Sequence, residues 1–258
     1  MSKMGEVCRV LEEDAELAEA IPADMRGSAQ RECVARTVAV PAGPWRASQA
    51  MPAGGGIGLY VLHGLLIRRV DVNGRFGAEL LGIGDLLRPW EGEGDPTTLS
   101  VRTGWQAVES ARVAVLDERF ARLLARYPQA IGCLVGRAVA RARNLAVNMA
   151  IVHQARVDVR VQMILWHLAA RWGRVRSDGV SLPLRLTHAV LADLAAARRP
   201  TVSSALSELA RQGVVLPIDD GWLLAGGPPG ELLELVAVPT SLTGGSQRRE
   251  AGGARGTV

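Results

Sequence analysis

Residues 185–215, "RLTHAVLADLAAARRPTVSSALSELARQGVV", hold two short amphipathic helix patterns separated by a break that contains two arginines and a proline. In the first pattern Thr187 stands where a hydroxyl can accept from an otherwise orphaned backbone N–H, and Val190, Leu191 and Leu194 form the apolar face. In the second, Pro200 suits the first turn, where its missing N–H costs no intrahelical bond. Val202, Ala205, Leu206 and Leu209 fall at i, i+3, i+4 and i+7 and define a buried face, and Gly213 ends the helix. By elimination, Ser203, Ser204, Ser207 and Arg211 point outward, beside Arg198 and Arg199 at the amino end.

The flanks complete a unit. "GVSLPL" before the helices reads as a short strand, and "GVVLPIDDGWLL" after them as strand, Asp-Gly turn, strand. Strand, two helices and a hairpin make a winged helix-turn-helix. The outward face of the second helix is short and polar, so a DNA major groove can accept it closely. Such a helix enters the groove by its amino end, where an arginine can grip guanine bidentately and serine can donate to base or phosphate. Arg199 is therefore the expected base contact. Arg198, Thr201, Ser207 and Arg211 are expected on phosphates, with Pro200, Ser203 and Ser204 completing the DNA-facing set. A helical pair packed against another protein surface is the competing reading.

Upstream, the texture changes twice. Residues 1–35 read as an acidic helical lead-in, and from about Arg36 to Asp117 the chain runs in short β-rich pieces cut by Gly and Pro. Asn73-Gly74 between apolar runs marks a hairpin, since both residues tolerate positive φ. This segment, 36–117, is expected to form a small antiparallel β-roll. Residues 118–155 then turn helical: "DERFARLLARYP" stops at Pro128, and a long helix follows. In it Ile131, Val135, Ala138, Ala142, Leu145, Met149 and Val152 recur at alternating steps of four and three, the period that keeps one stripe facing a partner helix. That stripe predicts dimerisation; packing on the chain's own barrel is the alternative. Residues 156–225 hold a further helix, Val157 to Gly173, and the winged helix, while 226–258 read as a Gly, Pro and Ser rich tail, disordered at its end. The fold class is α+β.

Residues 119–211 carry fifteen arginines against four carboxylates, which places a polyanion partner on that middle part of the chain. Lys3 is the only lysine. "LEEDAELAEA" near the amino terminus is acidic where a secretory leader would be basic, and no run approaches the roughly 18 apolar residues of a membrane span. A cytoplasmic location without membrane association is expected. Cys8, Cys33 and Cys133 are too few and scattered for a disulfide framework or a metal knuckle, and no metal or other cofactor is expected.

The stretch "LTHAVLADLAAARRPTVSSALSELARQGVV" resembles the DNA-binding domain of the cyclic AMP receptor protein and fumarate-nitrate regulator (CRP/FNR) family, and the order of barrel, long helix and winged helix resembles it too, from about Arg36 to Leu224. The resemblance implies a homodimeric transcription regulator on near-palindromic double-stranded DNA, with RNA polymerase a candidate partner. The family commonly opens its recognition helix with an Arg-Glu pair and a second arginine one turn on. Those positions hold Arg199, Pro200 and Ser204 here, so the usual target sequence does not transfer. Ala196 stands where a turn glycine is common. The Gly-Glu pair that binds a cyclic nucleotide's ribose aligns with Arg88 and Pro89, and Arg102-Thr103 falls one residue out of register for the phosphate pair, which in a strand reverses the face. Cyclic AMP is thus not the expected ligand; Arg88 and Arg102 are the candidate effector contacts. Three scattered cysteines disfavour an iron-sulfur centre, and haem through His63 stays open. The expected function is a dimeric, sequence-specific DNA-binding regulator. The alternative is a small-molecule-binding or scaffolding module without specific DNA binding, and no catalytic constellation supports an enzyme.

Overall fold

The computed structural model describes residues 6–50, 56–89, 101–228 and 230. The expected tail lies outside them from residue 231 on. The chain opens with a short strand, β1 (Val7–Arg9), followed by helices α1 (Val10–Glu13), α2 (Ala15–Glu19) and α3 (Ala23–Glu32). This corrects the wholly helical lead-in: Cys8 pairs with Ala35, so the sheet begins inside that segment. Three residues are too short to carry a readable alternation, and the pairing partner supplies the order.

Two antiparallel sheets form the roll. One contains β1, β2 (Val34–Val40), β4 (Gly56–His63), β7 (Leu86–Leu87) and β9 (Ala111–Asp117), in the order β1-β2-β9-β4-β7. The other contains β3 (Gly43–Trp45), β5 (Leu66–Val72), β6 (Arg75–Leu81) and β8 (Val101–Ala107), in the order β3-β8-β5-β6. The hairpin at Asn73-Gly74 forms as read, with φ of 51° and 77°. Leu59, Val61, Leu66, Leu81, Val113 and Val115 fill the space between the sheets. The side chains that alternate with them pack outward: Tyr60, Ala114 and Leu116 bury against the amino-terminal helices and α4 (Glu118–Leu124).

α4 is capped by Asp117, whose carboxylate accepts from the Phe120 N–H at 2.9 Å. Pro128 then opens α5 (Pro128–Val152), a 25-residue helix laid along the roll. α6 (Val157–Trp172) follows, then β10 (Arg174–Arg176), β11 (Gly179–Leu182), α7 (His188–Leu194), α8 (Arg199–Arg211), β12 (Val215–Ile218) and β13 (Gly221–Leu224). The last strands form a sheet ordered β10-β11-β13-β12. Its wing needs Gly221: a Cβ there would sit 2.1 Å from the Leu182 carbonyl oxygen, at a φ of +158°.

The roll and the winged helix share one apolar core. Leu65, just before β5, and Ile67, Ala78 and Leu80, on the outer face of β5 and β6, cluster with Val161, Ile164, Leu191, Leu194 and Leu206. Two ion pairs cross the same seam, Arg69 to Asp193 at 2.6 Å and Arg171 to Asp85 at 2.8 Å. Apolar burial at roughly 25 cal/mol per Å² makes this the stronger part of the contact, because partly exposed ion pairs contribute at most about 1 kcal/mol each.

Candidate nucleic-acid interface and barrel cavity

α7 starts at Thr187, whose hydroxyl accepts from the Val190 N–H at 3.2 Å. It ends in a Schellman arrangement: the Ala197 N–H donates to the Ala192 carbonyl at 3.0 Å and the Ala196 N–H to the Asp193 carbonyl at 3.2 Å. Ala196 takes a φ of +46° to make it. From α6, the Arg160 guanidinium donates to the Ala195 carbonyl at 2.8 Å and so ties the turn to the domain's first helix. A left-handed alanine costs about 1–2 kcal/mol, partly offset by the entropy glycine would lose. Ala196→Gly should therefore stabilise the domain by about 1 kcal/mol, read as a melting midpoint raised by a few degrees in scanning calorimetry.

α8 buries Val202, Ala205, Leu206 and Leu209. Arg198, Arg199, Pro200, Thr201, Ser204, Ser207 and Arg211 are exposed, and together they make a continuous polar face. Ser203 departs from the expected outward position. It is half-buried, and its hydroxyl is hydrogen-bonded to His188 Nδ1 at 2.9 Å, which links the two helices. The Ser204 and Ser207 hydroxyls donate back to the Pro200 and Ser203 carbonyls at 3.2 and 3.0 Å, leaving their lone pairs outward. Arg211 is paired with Glu208 at 2.5 Å, which holds the Glu208 carboxyl below its usual range. Arg174 and Arg176 on β10 and Arg185 before α7 add exposed positive charge around the helix pair. His188 and Arg160 escape pattern reasoning because each acts across elements distant in sequence.

The two candidate effector contacts separate. Arg88 lines a cavity of about 270 Å³ between the roll and α5, with Arg68, Trp105, Leu134, Arg137 and Arg141 among the other wall residues. Arg102 lies on the exposed part of β8, ion-paired with Asp71, and is not among the lining residues. It stands opposite Asp71 on the β5–β8 ladder and is held there by that ion pair. Glu79, buried, accepts from Arg141 at 2.8 Å and pairs with Arg68 at 3.0 Å. Arg137 donates to Asp14 at 2.6 and 2.9 Å and to Glu16 at 2.7 Å. Tyr60 donates to the same Asp14 carboxylate.

Other candidates resolve simply. His63 ends β4 on the exposed side. Cys8 and Cys33 are buried, and burial pushes both thiols up to about 11. Among the described residues, no group of three or more His, Cys, Asp or Glu side chains could hold a metal ion, and no helix is long and apolar enough to cross a membrane. On α5, Ile131, Val135, Ala138, Ala142 and Met149 are exposed, whereas Leu145 and Val152 are half-buried.

The winged helix-turn-helix, joined through a long helix to a β-roll, has counterparts among known proteins. Residues 159–222 match the Crp-like helix-turn-helix domain family. The solved structures it resembles include a CooA mutant from Carboxydothermus hydrogenoformans (TM-score 0.57, 15% identity, covering 90% of this chain and 97% of that one). FixK2 from Bradyrhizobium japonicum also matches (TM-score 0.54, 17% identity, 78% and 96% coverage). So does a cyclic nucleotide-binding domain containing protein from Listeria monocytogenes EGD-e (TM-score 0.59, 14% identity, 72% and 87% coverage). No curated protein sequence matches the chain. Residues 159–222 are therefore a Crp-like helix-turn-helix domain, and the chain shares its fold with these solved structures.

Proposed function

We propose that the chain acts as a homodimer, placing its two α8 helices in successive major grooves of a near-palindromic site, about 34 Å apart. The observation that carries this reading is the division of α8 itself. One face is sealed into the domain core by Val202, Ala205, Leu206 and Leu209, while the amino-terminal arginines and the small hydroxyl side chains face solvent together. Arg199, at the first position of α8, is the base-reading residue; Arg198, Thr201, Ser207 and Arg211 are phosphate contacts. Phosphate contacts release counterions, so affinity falls steeply with salt.

The dimer forms through the exposed stripe of α5. Gly132 and Gly136 have nothing within 4 Å of where a Cβ would stand, so a second helix can approach the backbone there. The roll senses a ligand other than cyclic AMP. Pro89 offers no side-chain acceptor for a ribose hydroxyl, and Arg102 is held by Asp71.

Substitution at α8 tests the reading. Arg199→Ala should cost about 1–3 kcal/mol in operator binding and flatten discrimination at one base pair in each half-site. Arg211→Ala should weaken all sequences alike. Gel retardation against an operator and its single-base variants separates the two. Unchanged sequence preference in Arg199→Ala would overturn the assignment.

A further inference from the structure

α8 is seated on its domain by apolar contacts. Val202, Ala205, Leu206 and Leu209 bury its inner face, and burial of this kind is non-directional: it decides which side faces in and constrains the roll of the helix only loosely. Among the described residues, the side-chain hydrogen bonds of α8 run within the helix or to Gln212 beside it, with one exception. Ser203 Oγ is bonded to His188 Nδ1 on α7 at 2.9 Å. A hydrogen bond weakens steeply away from its distance and angle, so this one fixes what the apolar face leaves loose.

The place of the bond on the helix gives it leverage. Arg199, Ser203 and Ser207 fall at i, i+4 and i+8, one row along α8. Ser203 is thus the half-buried link in a row whose other two members are exposed. A side-chain tip about 5–6 Å from a helix axis moves by about 1 Å for a roll of about 10°, and a site that is about 1 Å loose no longer holds a productive contact. His188 is itself anchored. Its ring centroid lies 6.3 Å from that of Trp222, with the planes at 36°. Trp222 is buried in the wing, opposite Leu182 of β11 and Pro217 of β12. Ser203, His188 and Trp222 therefore join α8, α7 and the wing in one chain of contacts.

We propose that His188 is a positioning residue for sequence readout: through Ser203 it fixes the roll of α8, and with it the angle at which Arg199 meets its base pair. This rests on the regulator reading and deepens it. Because His188 acts through Ser203, its loss should reduce discrimination among base pairs more than overall grip. The ring contact with Trp222 ties the same setting to the wing.

Gel retardation of the full chain tests it, on a duplex that the native protein selects from a random-sequence library and on single-base variants of that duplex. The readout is the affinity ratio at the base pair whose discrimination Arg199→Ala flattens. His188→Phe keeps a ring against Trp222 and removes the nitrogen, while Ser203→Ala removes the hydroxyl. Each should lower the ratio by about fivefold, which is what one neutral hydrogen bond contributes. The double variant should lower it by no more than either alone. His188→Asn sets a polar atom on the same γ carbon that bears Nδ1 and should keep the native ratio. Melting curves show that each variant is folded, and Ser203→Thr, which keeps the hydroxyl, replaces His188→Asn if that variant is not. A ratio unchanged in His188→Phe and Ser203→Ala, losses that multiply in the double variant, a loss in folded His188→Asn as large as in His188→Phe, or affinity lowered alike for every duplex would each overturn the inference. Those failures leave the regulator reading standing, whereas a native chain that grips every duplex equally would overturn both.

Discussion

Replacing Val135 and Val139 together by glutamate should convert the protein to a monomer in sedimentation and lower operator affinity by about 10²–10⁴-fold, the advantage that two linked half-site contacts provide. Val135 is 57% exposed and Val139 56%, one helical turn apart on α5, with Ile131 and Met149 (38% and 65%) on the same side. Apolar side chains in a row on a 25-residue helix, flanked by Gly132 and Gly136, form a surface that a second copy can cover. Two carboxylates placed there would face their own symmetry mates across a dry seam, an arrangement that desolvation and like-charge repulsion both oppose. Val175→Glu provides the comparison. Val175 is 89% exposed on β10, so its substitution should leave the oligomeric state unchanged. A doubly substituted protein that still sediments as a dimer would exclude α5 as the interface.

The same helix shows how far the sequence could be read. The stripe from Ile131 to Val152 follows a seven-residue period, but an uncoiled α-helix drifts by about 20° per heptad against that repeat. By the third heptad, Leu145 and Val152 have rotated toward the chain's own roll, where both line a groove with Ala78 and Leu194. Val139, off the strict repeat, has rotated outward to join the exposed face. Helix existence was thus legible in the pattern, whereas the division between exposed and roll-facing residues depended on three-dimensional packing. α8 was legible for a related reason: its burial pattern is local, set by the helix period alone. Ser203 is the exception because its partner, His188, sits fifteen residues away on another helix. In the roll, Leu65, Leu66 and Ile67 read as one apolar run; the fold divides it, with Leu66 facing the inter-sheet core and its neighbours facing the winged helix. Strands buried on both faces lose the alternation that would have announced the docking.

The Asp14 cluster carries the second large effect. Asp14 lies between α1 and α2, 9% exposed, and caps α2 by accepting from the Leu17 N–H at 2.8 Å. It also holds Arg137 of α5 and Tyr60 of β4, so one carboxylate joins the lead-in, the roll and the long helix. Burial alone would raise the Asp14 carboxyl, but hydrogen bonds from Arg137, Tyr60 and the Leu17 N–H outweigh it and hold the group below its ordinary value. Burial and the Asp14 carboxylate push the Tyr60 phenol up, keeping it a donor. Asp14→Asn leaves the Arg137 guanidinium with only the exposed Glu16 as a charged partner. The substitution should cost about 3 kcal/mol, the lower part of the range for breaking a buried pair. For a chain of this size that corresponds to a melting midpoint lower by about 6–10 °C. Because the folded carboxyl titrates below the unfolded one, its contribution is complete above the ordinary carboxylate range and disappears as pH falls through the folded value. Native protein and Asp14→Asn should therefore differ by the full amount at pH 7, and their melting midpoints should converge below about pH 4. Tyr60→Phe removes one donor and keeps the charge pair, so it should cost about 1 kcal/mol. A gap between native and Asp14→Asn that stays constant from pH 7 to pH 3 would mean that Asp14 stabilises through its shape and not its charge.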